Sequence, residues 1–172
     1  MTYNLHPIFV HFPIAMLLVY SVIKLLPLAK WFPKANWKDI ELALLFIGVV
    51  GSFFALATGE TAEHLVRPSR DLVEAHSLFA TISTWIYGAL LLGEVLAMFT
   101  SWYENKMKNQ EILKVVNFLK TNLTNKFYSG VLSFLGLIAI SLTGLLGGVI
   151  TYGVGADPFA AIVLQLLGIS IK

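Results

Sequence analysis

The chain has 172 residues, of which 57% are hydrophobic and 13% charged, with a mean hydropathy of +0.77 and a formal net charge of +2. Soluble domains are about 45–50% apolar and about 25% charged, so this composition excludes a disordered segment, a nucleic-acid-binding arm and an ordinary soluble enzyme. The absence of cysteine excludes a disulfide framework, a thiolate zinc site, an iron–sulfur cluster and a covalent c-type haem. The lipid bilayer is the expected solvent, and no nucleic acid is expected as a partner.

A membrane helix needs about 20 mostly apolar residues. Four stretches qualify: 8–29, 40–58, 75–99 and 127–152. The pattern predicts an all-α integral membrane four-helix bundle, forming a single transmembrane domain over 1–172. Between the third and fourth spans, Ile112, Val116, Leu119 and Leu123 recur at helical spacing among lysines, which predicts an interfacial amphipathic helix over about 110–121. The apolar tail predicts a short C-terminal helix over about 158–171, lying on the bundle or in the interface, with a thin fifth span as the alternative. Nothing basic precedes the first apolar run, so it does not read as a signal peptide.

Basic residues set the orientation. Nine lysines fall in the loops after the first and third spans, whereas Arg67, Arg70 and Lys172 fall on the other side. Both termini are therefore expected on the outer side. Trp31, Trp37, Trp102 and Tyr103 fall at the inner boundary, where interfacial aromatics sit. The outer face is net acidic, which suits a cationic redox partner.

With this topology all four histidines lie on the outer side. His6 and His11 open the first span, His64 follows the second, and His76 begins the third. His11 lies three residues inside its apolar run, about 4.5 Å at the helical rise, and His76 is expected at similar depth. Neutral imidazoles at the mouth of a helical bundle are suited to haem iron or a transition metal. His6 and His11 are about 140° apart on a helical wheel, so only one can face a shared ligand; His11 is expected inward and His6 interfacial. Should the second helix run on towards Pro68, Glu60 and His64 become i, i+4 neighbours able to chelate a metal, or a plain solvated helix end. Glu63 and Arg67 are expected to form a surface ion pair.

Pro7 fits a first helical turn. Pro13 releases the Phe9 carbonyl from the helical ladder, which in hydrocarbon suggests a shaped site, unless the helix begins at Pro13 itself. Gly136, Gly144 and Gly148 in the fourth span allow close helix approach, or alternatively clear room for a porphyrin. Glu94 returns to the face of His76 about 27 Å away, where it is expected to reach the inner interface or to pair with Lys24.

The run His6-Pro7-Ile8-Phe9-Val10-His11-Phe12-Pro13-Ile14-Ala15 resembles the opening signature of a family of predicted prokaryotic membrane proteins, domain of unknown function 2231. The resemblance continues through Ala57-Thr58-Gly59, Ala75-His76-Ser77, Gly144-Leu145-Leu146-Gly147-Gly148 and Tyr152-Gly153-Val154-Gly155. It implies a four-span bundle. Because members often occur with cytochrome-type modules, it also implies respiratory electron transfer. Members often carry a histidine between the double glycine and the Gly-Val-Gly, which this chain lacks.

These features lead to the expectation of a membrane b-type cytochrome subunit that moves electrons between the quinone pool and an outer-face redox partner, such as a c-type cytochrome. Haem b would be held by His11 and His76, with His64 and then His6 as further ligands. Two alternatives are an outer-face zinc or copper site built from His11, His76, His64 and Glu60, and a cofactor-free anchoring subunit of a larger membrane complex.

Overall fold

The computed structural model describes residues 6–66 and 69–169, apart from the side chains of residues 7, 8, 60–66 and 156. The described residues form eight α-helices and no strand. Four long helices make the body: α1 (His6–Leu25), α3 (Trp37–Val66), α4 (Arg70–Met98) and α7 (Lys126–Tyr152). They pack in a ring, α1 beside α3 and α7, and α4 beside α3 and α7. The connection from α3 to α4 is short, that from α4 to α7 covers residues 99–125, and the four helices run alternately up and down.

Each boundary has a local cause. Pro27 ends α1 early, and the chain resumes as the single turn α2 (Leu28–Trp31); the first apolar run is therefore two helices rather than one through residue 29. The polar residues Arg70, Asp71 and Glu74 join α4, with Arg70 and Glu74 paired at 2.7 Å across one exposed turn. Helix α3 extends through Val66, eight residues beyond the apolar run. Asn125 caps α7 by accepting from the amides of Phe127 and Tyr128. Gly153, at φ 81°, ends it in a conformation that a side chain would strain.

Three helices, α3, α4 and α7, are long and apolar enough to cross a membrane; the described apolar part of α1, Phe9–Leu25, is shorter. The surface supports a lipid setting. Phe12, Phe53, Phe54, Trp85, Phe127 and Phe134 are exposed, whereas Ser21, Ser52, Ser83, Ser129, Ser133 and Thr143 are buried. A soluble protein distributes these residue types the other way. Most of the buried hydroxyls return to their own helix: Ser52 donates to the Gly48 carbonyl, Thr84 to Ala80 and Thr143 to Ala139.

Small residues set the spacing. A Cβ on Gly48 would fall 2.5 Å from Leu17, and one on Gly51 would fall 3.1 Å from Pro13. Pro13 is thus a buried packing ring inside a helix that already begins at His6. On α7, Gly136 receives the Tyr87 phenol, whose ring carbon would lie 2.8 Å from an added Cβ. Gly144 and Gly148 meet nothing nearer than 4.0 Å, so of the three glycines singled out on this helix only Gly136 makes a close contact.

At the far end, Lys24 pairs with Glu41 at 2.8 Å and not with Glu94. Helix α5 (Thr100–Lys106) leads into α6 (Gln110–Thr124), which lies against α4 and α7. Ile112, Val115 and Phe118 of α6 are exposed. Tyr103 donates to Asn117 at 3.0 Å, tying α5 to α6. The tail helix α8 (Ala160–Leu166) has seven residues, about 10 Å of helix, far short of a crossing. Its Ala160 and Leu164 pack with Leu72, Leu146 and Val149 at the histidine end of the bundle.

Candidate functional site: a two-imidazole layer at one end of the bundle

Inward positions recur on each long helix in alternating steps of four and three residues, the spacing that keeps one stripe facing the bundle axis. On α1 the stripe contains His6, Pro13, Leu17, Tyr20 and Lys24; on α4 it contains His76, Ser83, Tyr87, Leu90 and Glu94. On α3 it contains Glu41, Leu45, Gly48, Ser52 and Gly59, and on α7 Ser129, Ser133, Gly136, Ile140, Thr143 and Gly147. The first layer thus holds His6 and His76 with Gly59 and Gly147.

The contacts agree with that register. An added Cβ at Gly147 would fall 3.1 Å from His76 Cε1, and one at Gly59 would fall 3.7 Å from His6 Cε1. Gly147 leaves space that the His76 ring fills, whereas a Cβ at Gly59 would only touch His6 at ordinary van der Waals distance. The two rings belong to the same layer of the bundle, one on α1 and one on α4.

Both rings are oriented through Nδ1. His76 Nδ1 lies 3.0 Å from the Thr143 carbonyl, which only accepts, so Nδ1 carries the proton. His6 Nδ1 lies 3.0 Å from Thr58 Oγ1. The Thr58 hydroxyl donates its own proton to the carbonyls of Phe54 and Ala55 at 3.1 Å, so its oxygen accepts from His6. In this tautomer the Nε2 atoms of both rings carry lone pairs, the form in which imidazole binds a metal.

Among the sequence-predicted residues, the structure brings His6 and His76 together and places His11 elsewhere. His11 follows His6 by five residues and is exposed beside Phe12, on the outside of α1. Glu60 and His64 lie on the last turns of α3, with side chains outside the described residues; the Glu63–Arg67 pair is outside them too. No group of three or more His, Asp or Glu side chains that could hold a metal gathers among the described residues.

Thr58, Gly59, Thr143 and Gly147 complete the site. Their signal is positional: each falls on the inward stripe of its helix, in register with a histidine. The donor type, neutral imidazole, is one that haem iron or a transition metal takes. Two neutral imidazoles come from different helices, each held by an oxygen acceptor, and the backbone at Gly144 and Gly148 stays clear of side chains nearby.

Comparison with known proteins adds a family and nothing finer. No curated protein and no solved structure matches the chain. Residues 2–158 match the family described as predicted membrane protein (DUF2231), so that match together with the all-helical, lipid-facing bundle makes the chain a member of this family.

Proposed function

We propose that this protein is a b-type cytochrome subunit of a prokaryotic membrane complex, carrying electrons between the quinone pool and a redox partner at the histidine end. That end would face outward, with the two lysine-rich loops in the cytoplasm. The observation supporting the reading is the pair of Nδ1-anchored imidazoles contributed by α1 and α4.

His6 and His76 would hold the iron through Nε2, with Thr58 and Thr143 fixing the ring orientations. Gly147 admits the His76 ring between the helices. Bound haem supplies reversible one-electron chemistry.

The test is direct. The full chain, expressed in haem-replete cells and purified in detergent, should show a Soret band that shifts on dithionite reduction, together with stoichiometric iron by elemental analysis. A colourless protein carrying zinc or copper would replace haem with a metal at the same imidazoles. A colourless, metal-free protein would leave an anchoring subunit.

A further inference from the structure

Where α4 ends, the chain turns through α5 and back along α6, and these segments leave a groove of about 460 Å³ between them. Val95, Leu96 and Phe99 line it from the end of α4, Trp102 and Met107 from α5 and its C-cap, and Val116 from α6. Almost no polar atom faces into it. The hydroxyls nearby are used elsewhere: Thr100 donates to the Leu96 and Ala97 carbonyls, and Tyr103 donates to Asn117. The groove lies at the last turn of a helix long and apolar enough to cross a membrane, hence where hydrocarbon gives way to headgroups. Trp102, 63% exposed, is a residue type enriched at that depth. Ile112, Val115 and Phe118 of α6 are exposed as well, which suits a helix lying in that plane with an apolar side in lipid.

The charge around the groove has one sign in excess. From Phe99 to Lys126 the chain has five lysines and two glutamates. Both glutamates are engaged, Glu111 with Lys114 at 2.8 Å and Glu104 with Lys120 at 3.9 Å. Lys106 and Lys108 are exposed and have no carboxylate partner among the described residues. They flank Met107, a lining residue, so each Cα stands about 3.8 Å from that of the groove wall. An apolar groove alone takes any hydrocarbon chain; two unpaired ammonium groups beside it select a chain that carries an anionic headgroup. A neutral quinone head would find few hydrogen-bonding partners in these walls and would leave both charges unused.

We propose that this groove binds one anionic phospholipid from the leaflet at the lysine-rich end. An acyl chain lies along Val95, Phe99, Met107 and Val116, and Lys106 and Lys108 hold the phosphate. The lipid fills the space between the end of α4, α5 and α6. The site uses neither the histidine layer nor its cofactor, so it stands independently of the proposed function.

The experiment titrates the full chain in detergent with phosphatidylglycerol or phosphatidylcholine of matched chains and counts bound lipids by native mass spectrometry. The wild type should bind one phosphatidylglycerol more tightly than phosphatidylcholine. Lys106→Gln with Lys108→Gln should weaken phosphatidylglycerol binding by roughly tenfold and leave phosphatidylcholine unchanged. Val116→Phe, which fills the groove, should weaken both lipids. Lys30→Gln with Lys34→Gln, at the same end of the bundle but outside the groove, should keep the preference. Unchanged circular dichroism keeps the comparison to folded protein. Equal binding of the two lipids, or a preference that survives loss of Lys106 and Lys108, would overturn the proposal. So would a preference lost equally in the Lys30 and Lys34 variant, a co-purifying mass that matches a quinone and is lost in Val116→Phe, or a dimer that Val116→Phe dissociates.

Discussion

His6 and His11 are five residues apart, yet only His6 turns inward. The helical wheel places them about 140° apart and shows that one ring is excluded, without saying which. The choice is made by packing: Pro13 fits against Gly51 and Leu17 against Gly48, and His6 lies on their stripe while His11 does not. His11 is exposed on the outside of α1. A signal for His6 is present in the sequence, since it stands in phase with Tyr20 and Lys24. Isolated depth along one helix does not reveal it; the four stripes must be aligned together. Thr58 supplies the first test at this scale. Thr58→Val removes the acceptor for His6 Nδ1 and should lower haem affinity by roughly tenfold or more, whereas Thr58→Ser should keep it; titrating haem into the apoprotein measures both. Gly147→Ala tests the other ring. Its Cβ would stand 3.1 Å from His76 Cε1, so His76 must shift, and the reduced spectrum should change without loss of the fold.

Among the helices, the long ones were legible from hydropathy and their exact ends were not. Polar residues at the start of α4 and at the end of α3 are helical because each helix runs on past the apolar stretch, a length that hydropathy alone does not register. Close-packing positions were legible on α7 only in part, and Gly48, Gly51 and Gly93 sit where spacing alone gives no partner. The contacts now rank their substitutions. Gly93→Ala would bring a Cβ 2.5 Å from Leu123 Cβ and 3.3 Å from its carbonyl carbon, so the α6 backbone itself must move. Gly48→Ala meets the far end of the Leu17 side chain, which can rotate. Gly93→Ala should therefore cost the larger share of the about 1–3 kcal/mol typical of overpacking. It should also raise amide exchange selectively in Gln110–Thr124, as read by hydrogen–deuterium exchange with mass spectrometry. Equal exchange in α6 with and without the substitution would contradict the tight α4–α6 contact.

For the whole molecule, the arrangement of large apolar side chains outside and hydroxyls inside is what a lipid solvent selects. It leaves the bundle with chemically different ends: two imidazoles and two glycines at one, and Lys24, Glu41 and Glu94 with Ser129 at the other. The lysine bias predicts a direction for this axis in the membrane. The chain has no cysteine, so single cysteines report topology without background. Asp157→Cys should react with a membrane-impermeant maleimide on intact cells, and Lys108→Cys should react only after the cells are opened. The reverse pattern would turn the histidine layer towards the cytoplasm and remove the outer-face redox partner.

That the imidazoles of His6 and His76 hold one cofactor is the central claim, and reduced-minus-oxidised absorption spectra of the single alanine variants of His6, His11 and His76 test it most directly. His6→Ala and His76→Ala should each abolish the wild-type difference spectrum, whereas His11→Ala should retain it. A spectrum lost in His11→Ala and retained in His6→Ala, or no haem signal in the wild type, would contradict it.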